Sequence, residues 1–490
     1  MNQTQPKGLY LLFFTELWER FGYYMVSTIL VLYLSKGLLF SDDSAYYLFG
    51  AFSSMLYLMP VAGGFIADRF IGFQKSITLG GILLTIGYFL MSFPGEKFLF
   101  LGLSIVIVGN GFFKPNVSSL VGALYSPEDP RRDGGFTLFY MGINIGSLLP
   151  PLFAGALVAA YTWGSGFLVA ALGMVLSLLT FWMGKFQLGS TGSVPSLSPC
   201  YRNKTATKVF NLFLAIAIGT VVGIMYLLLY HPKEASVILI LASLSVIGTL
   251  LFFMYKEAPE VRRKMGACLI LIALSVGFWA VYNQTFTSLM LFADRNMSKE
   301  FLGFTINAEF TQFFNPFFII LLSPLLSLLW VKLDKVGKNP STPMKFSFGI
   351  LFMALGFLVL GGGIMAFPST GQASPWWLVL SYFIQTIGEL LISPIGLAMV
   401  TRLSPKHLVG MMMGVWFLTQ AAAFAIGGTL AVFSNVPKGV RDTVPLAIYS
   451  RAFFVYGGIS LLLAVLSFFL VPYLRGLIGV IKGVTPTPKR

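Results

Sequence analysis

LYLLFFTELWERFGYYMVSTILVLYLSK, residues 9–36, is the stretch that decides the fold. A helix needs about 20 mostly apolar residues to cross the ~30 Å hydrocarbon core of a bilayer, and this run is long enough. Yet Glu16, Glu19 and Arg20 stand inside it, followed by Tyr23 and Tyr24. Positions 16, 19, 20, 23 and 24 recur at helical spacing, so two carboxylates, a guanidinium and two phenols share one stripe. Lipid cannot satisfy such a stripe, which must therefore face a cavity or other helices. The competing reading is an ion cluster at a membrane interface. It fits poorly, because the stripe begins one to two turns inside the apolar run. The same charges, with no long basic start and no small-residue cleavage site, argue against a cleavable signal peptide.

Working outward, similar runs lie near 45–70, 76–94, 98–124, 135–160, 164–187, 208–230, 234–255, 265–292, 305–333, 345–367, 375–402, 408–434 and 448–478, fourteen with the first. Composition agrees: 56% of the 490 residues are hydrophobic and 10% charged, where soluble domains spend about a quarter on charge. The predicted class is an all-α, multi-pass membrane protein.

The formal charge of +15 does not point to nucleic acid, because no basic run is interleaved with aromatics to track phosphates. Lys and Arg fall in the breaks between apolar runs instead. With the N-terminus placed inside, about 23 of them lie on the inner side and about eight on the outer, the asymmetry of the positive-inside rule. Both termini are then cytoplasmic, in the cell membrane (the inner membrane if the source is bacterial). A polar stretch at 188–207 and two helices free of charge beyond their first residues interrupt the middle of the chain. The expected division is a six-helix bundle over 1–188, a loop with two inserted helices over 189–263, and a second six-helix bundle over 264–490. A weak echo supports repeated halves: Gly64-Phe-Ile-Ala-Asp68-Arg69 with Gly72 and Lys75 in the first, Trp330-Val-Lys-Leu with Gly337 and Lys338 in the second.

Two further runs carry charge where it is costly. The fourth holds Asn110-Gly-Phe-Phe-Lys114-Pro115-Asn116, with about ten apolar residues ahead of the lysine. Snorkelling to the interface is the alternative for a lone Lys. The twelfth holds Gln385, Glu389 and Ser393 at spacing four. Glu16, Glu19, Arg20, Lys114 and Glu389 come within one proton of charge balance, a composition suited to proton coupling. The two cations also suit a ligand carboxylate, and Glu389 a ligand ammonium.

These residues carry a resemblance. ELWERFGYY at 16–24 resembles the E-x-x-E-R-F-x-Y-Y signature of the proton-dependent oligopeptide transporters, within the major facilitator superfamily. Phe139-Tyr140-Met-Gly-Ile143-Asn144-Ile-Gly146 is similar to that family's F-Y-x-x-I-N-x-G motif, and G-F-F-K-P-N at 111–116, F-N-P at 314–316 and G-E-L-L-I-S-P at 388–394 match as well. The resemblance implies a major facilitator fold of two six-helix bundles plus two inserted helices, and a proton-coupled symporter importing di- and tripeptides by alternating access. It implies proton coupling by Glu16, Glu19 and Arg20, with Lys114 and Glu389. It implies a carboxyl pocket of Arg20, Tyr24 and Lys114, and an amino pocket of Asn144, Asn315 and Glu389. Tyr23, Tyr57, Trp279, Asn283, Ser393, Trp416 and Phe417 would complete the peptide site, although ordinary helix packing competes as a reading of each aromatic. Two positions depart from the pattern. Ser27 stands where many members have Arg, and Asn283 where many have an acid; in those members the two are expected to pair across the outer gate. Asp294 and Glu309 are the candidates to replace that acid.

Other classes fare worse. Cys200 and Cys268 have no metal-like spacing, His231 and His407 lie at loop edges, and no nucleophile–His–acid set appears, so neither an enzyme, a metal site nor a cofactor is expected. A channel would want rings of like charge or a filter loop. A non-peptide amphoteric or anionic solute is the alternative substrate. The expected partners are peptide, protons and the lipid bilayer, with the chain acting as a monomer.

Overall fold

A computed structural model describes residues 4–126, 129, 131–195, 198, 203–366, 372–405, 409–437 and 444–479. Cys200 and His407, weighed above, lie outside them, as do the loop cations Lys438 and Arg441. The helices are α1 Lys7–Leu32, α2 Asp42–Ile66, α3 Phe73–Met91, α4 Glu96–Ala123, α5 Arg132–Ala160, α6 Trp163–Gly184, α7 Lys204–Tyr230 and α8 Pro232–Tyr255. They continue with α9 Pro259–Tyr282, α10 Ser288–Asn296, α11 Phe314–Lys335, α12 Thr342–Ala366, α13 Pro375–Leu403, α14 Val409–Ala431 and α15 Val444–Ile478. Thirteen spans are long and apolar enough to cross a membrane among the described residues, α9 and α10 counting as one. α1 is the fourteenth, 26 residues long with its charges in the middle.

The expected single helix over 265–292 is broken. α9 ends at Tyr282, Asn283–Thr285 form a 3-10 turn, and α10 starts at Ser288. The run Asn-Gln-Thr supplies the cause, since short polar side chains offer the backbone other partners than the helix. Thr287 and Ser288 donate to Gln284 Oε1 at 3.3 and 2.8 Å, and Gln312 Nε2 donates to the Thr285 carbonyl that the break exposes. After α10 a two-residue turn, Leu302-Gly303, joins β1 (Glu300–Phe301) to β2 (Phe304–Thr305). Both turn residues have positive φ, 52° and 81°.

The chain forms two compact units, Met1–Leu239 with Gln284–Ile320, and Ile240–Asn283 with Leu321–Arg490. In the first, α1 packs between α5 and α6, and α4 against α2 and α3. Pro115 has no N–H to give the Gly111 carbonyl, and that carbonyl lies against α2 where a Cβ on Gly63 would be 2.0 Å away. Gly80 and Gly109 bring α3 onto α4 in the same way. In the second unit α12 lies against α13 and α15, and α9 against α14. Gly349 and Gly388 make the close contact between its third and fourth repeat helices, as Gly80 and Gly109 do in the first half. The echo noted in the sequence also has a backbone counterpart: Gly72 and Gly337 both have positive φ, 76° and 66°.

The inserted helices are among the least buried. In its most apolar stretch α7 is 6% buried and α8 17%, the latter the same as α11 and far below the 72% of α4, so most of their apolar side chains face outward. The polar stretch before them is docked at its start. Gln74 donates its backbone N–H to the Gly192 carbonyl (3.0 Å) and its Nε2 to the Thr191 carbonyl (2.8 Å), and Gly72 has room only for hydrogen beneath Ser193. Gly8 touches Leu124 and Leu188, while Gln5 accepts from Tyr125 and Arg131 donates to the Thr4 carbonyl. The N-terminal segment, the α4–α5 turn and the end of α6 thus meet at one end of this unit.

Candidate functional site

The stripe on α1 is buried as its spacing requires. Glu16, Glu19 and Arg20 are 1%, 0% and 3% exposed, Tyr23 is buried and Tyr24 half-buried. Arg20 Nε and Nη2 donate to the two oxygens of Glu19, each at 2.6 Å, a planar fork in which donor and acceptor are both charged. Arg20 Nε also lies 3.5 Å from Glu16 Oε1, while Glu16 Oε2 is buried with no hydrogen-bond partner among the described residues. The guanidinium stands 4.8 Å from the Tyr23 ring centroid.

Two neighbours place this cluster. Gly146 of α5, within the F-Y-x-x-I-N-x-G stretch, sits against the Leu17 carbonyl and Arg20 Cβ, where a side chain would push α5 away. On α4, Lys114 is half-buried, with Nζ 4.6 Å from the Tyr57 ring centroid of α2 and within electrostatic reach of Glu16, Glu19 and Arg20. The structure therefore brings Glu16, Glu19, Arg20, Tyr23, Tyr57 and Lys114 together. Asn144 is buried, its amide donating to Tyr140 O of its own helix (2.9 Å), and Asn315 is half-buried in the first turn of α11.

The remaining sequence-predicted residues belong to the second unit. Glu389 on α13 is 8% exposed, directly after the Gly388 contact with α12. Gln385, one turn earlier, donates to Ser381 Oγ (2.8 Å), and Ser393, one turn later, is half-buried. Trp416 on α14 is buried over Gly396, and Phe417 is exposed. Trp279 packs edge-on to Phe278 and Tyr282, and Asn283, fully buried, rests on Gly427 at the α9 break.

Several contacts were not legible in the sequence, including those of Asp294 and Glu309, the acids named above as gate candidates. Asn110 donates to the Leu56 carbonyl, and Asn116 to Ser76 Oγ and the Phe112 carbonyl, each at 2.8 Å, so both act as polar glue around Lys114. Arg295 grips Asp42 with two bonds of 2.6 and 2.7 Å, and Lys36 pairs with Asp294 at 2.8 Å. Partners some 250 residues apart give no local signal. Glu309 is buried against Gly155.

The sequence profile described as the POT family matches residues 74–446. The chain belongs to the POT family. It is 40% identical to dipeptide and tripeptide permease B of Salmonella typhimurium over 98% of this chain and 99% of that one. It is 38% identical to dipeptide and tripeptide permease A of Pectobacterium carotovorum, over 96% and 92%. Among solved structures, peptide transporter POT in complex with sulfate superposes with a TM-score of 0.82 at 33% identity, covering 99% and 97% of the two chains. A POT family transporter in complex with 5-aminolevulinic acid gives 0.84 at 29% identity, covering 97% and 98%. This POT member is thus a multi-pass membrane transporter with the major facilitator architecture.

Proposed function

We propose that this POT member is a proton-coupled symporter that imports di- and tripeptides by alternating access. The observation that carries the reading is the Arg20–Glu19 fork with Lys114 beside it. A guanidinium already holding a carboxylate is shaped for a peptide's terminal carboxylate. Protonating Glu19 removes the charge that holds the fork, so a proton and a peptide favour the same rearrangement. Glu16 Oε2, with its open position, is a second place to hold the proton. Glu389 offers a negative charge for the peptide ammonium, and Tyr24, Asn144, Asn315, Ser393, Trp279, Asn283 and Trp416 complete the site by family likeness. Full-length relatives named dipeptide and tripeptide permease support the substrate class.

With Ser27 and Asn283 uncharged, the pairs Asp42–Arg295 and Lys36–Asp294 take over as ion pairs of the outer gate. The bundles 1–188 and 264–490 act as the moving halves, as a monomer in the cell membrane. The basic residues gathered where the N-terminal segment meets the α4–α5 turn favour a cytoplasmic placement of that end and of both termini.

The test is uptake of labelled dipeptide by proteoliposomes under an inward proton gradient. Accumulation that collapses with a protonophore is expected. The second reading, a non-peptide amphoteric solute, is the less supported one, although a relative's structure holds 5-aminolevulinic acid. Uptake of that acid with no uptake of several dipeptides would replace the first reading by the second.

A further inference from the structure

The inserted pair α7–α8 has no part in the transport site, yet α7 does not simply lie in lipid. Phe210, Leu214, Ile218 and Val221 pack on Ala67, Ile71, Val108 and Phe112. Beside that stripe, between α7 and α3, runs a groove of about 400 Å³ with Ile71, Leu79, Leu214 and Ile218 along it and Lys75 and Asn211 at one end. From Asn211 to Ile218 it is about 10 Å long at 1.5 Å per residue, which fits inside one leaflet of a ~30 Å hydrocarbon core.

The polar end is cationic. Lys208 and Lys204 precede Asn211 by three and seven residues, on the same face of α7, and both are exposed, as is Lys75. Against these three lysines the nearby α2–α3 turn brings Asp68 and Arg69, whose charges offset each other, so the count at this end of the groove is net positive. A second groove beside α7, at its other end, makes the contrast. It is apolar too, but its one cation, Lys97, is followed in space by no other lysine lining it and sits next to Glu96.

We propose that the α3–α7 groove seats an acyl chain of an anionic phospholipid whose phosphate is held by Lys75, Lys204 and Lys208. The groove opens on helices whose outer faces meet lipid, so tails have direct access, and the charge of its mouth selects the headgroup. In the orientation proposed above, this is the cytoplasmic leaflet. The lipid then bridges the insert and the α2–α3 turn, which gives α7 a role in holding that turn.

Native mass spectrometry of the full chain, extracted from liposomes of equal phosphatidylglycerol and phosphatidylcholine, tests this. Wild type is expected to retain phosphatidylglycerol in preference. Replacing Lys75, Lys204 and Lys208 by Ala should reduce its retention about fivefold per lysine, whereas Lys97→Ala should leave it unchanged. Ala215→Trp, or Ile218→Trp should the first not fold, should block retention with all three lysines in place; melting temperature serves as the folding control. Equal retention of both lipids by wild type, or undiminished phosphatidylglycerol on the lysine variant, overturns the proposal. Retention by both folded tryptophan variants, or displacement of the lipid by soluble glycerol phosphate at millimolar concentration, overturns the groove by reducing it to surface charge or a phosphate site.

Discussion

Arg20 shows why residue identity matters more here than charge. Lys at position 20 would keep the cation and lose the fork to Glu19, so Arg20→Lys is expected to lower proton-driven peptide uptake about tenfold or more while the protein still folds. Lys114 acts as a point charge over Tyr57, and Lys114→Ala should abolish gradient-driven accumulation. Exchange of labelled peptide without a gradient separates coupling from binding: retained exchange with lost accumulation identifies Lys114 as a coupling residue. Near-normal accumulation in either variant contradicts the assigned roles. At this scale the sequence was highly legible, because an intramembrane charge has few bland explanations and Glu16, Glu19, Arg20 and Lys114 were visible as such. Asn110 and Asn116 were not. Asparagine costs less in a helix, and nothing in their spacing says that they bond to Leu56 and Ser76.

Helices are set against one another here by glycine and proline, and two contrasts test that. Gly63→Ala would place a methyl 2.0 Å from the Gly111 carbonyl, whereas at Gly64 the nearest atom is Pro115 Cβ at 3.7 Å. Gly63→Ala is therefore expected to destabilise by about 1–3 kcal/mol and to weaken uptake by moving Tyr57 relative to Lys114, with Gly64→Ala near neutral. Melting curves in detergent for the pair check the difference. At the β1–β2 turn, Leu302 holds φ 52° although its side chain is 68% exposed. Asn suits that backbone far better, so Leu302→Asn should raise the melting temperature, by about 1 kcal/mol in free energy. The run at 265–292 reads as one apolar helix because periodicity cannot see a break that depends on Gln312. Its stabilising partner comes from 27 residues further along the chain.

The molecule as a whole was legible in class, span number and family, because a bilayer forces helices and helices need length. What stayed hidden was long-range: which segments associate, and that Lys36, Asp42, Asp294 and Arg295 form two pairs. The buried fork between Arg20 and Glu19 has one more consequence. If a peptide carboxylate must evict Glu19 to reach the guanidinium, and the evicted side chain takes up a proton, then binding is itself a proton-consuming reaction. Calorimetric heats of dipeptide binding should then vary with the ionisation enthalpy of the buffer, with a slope near one proton drawn from solution per peptide. Reciprocity adds that affinity must strengthen as pH falls. A slope of zero would mean that Glu19 and the peptide share Arg20 without competing for it.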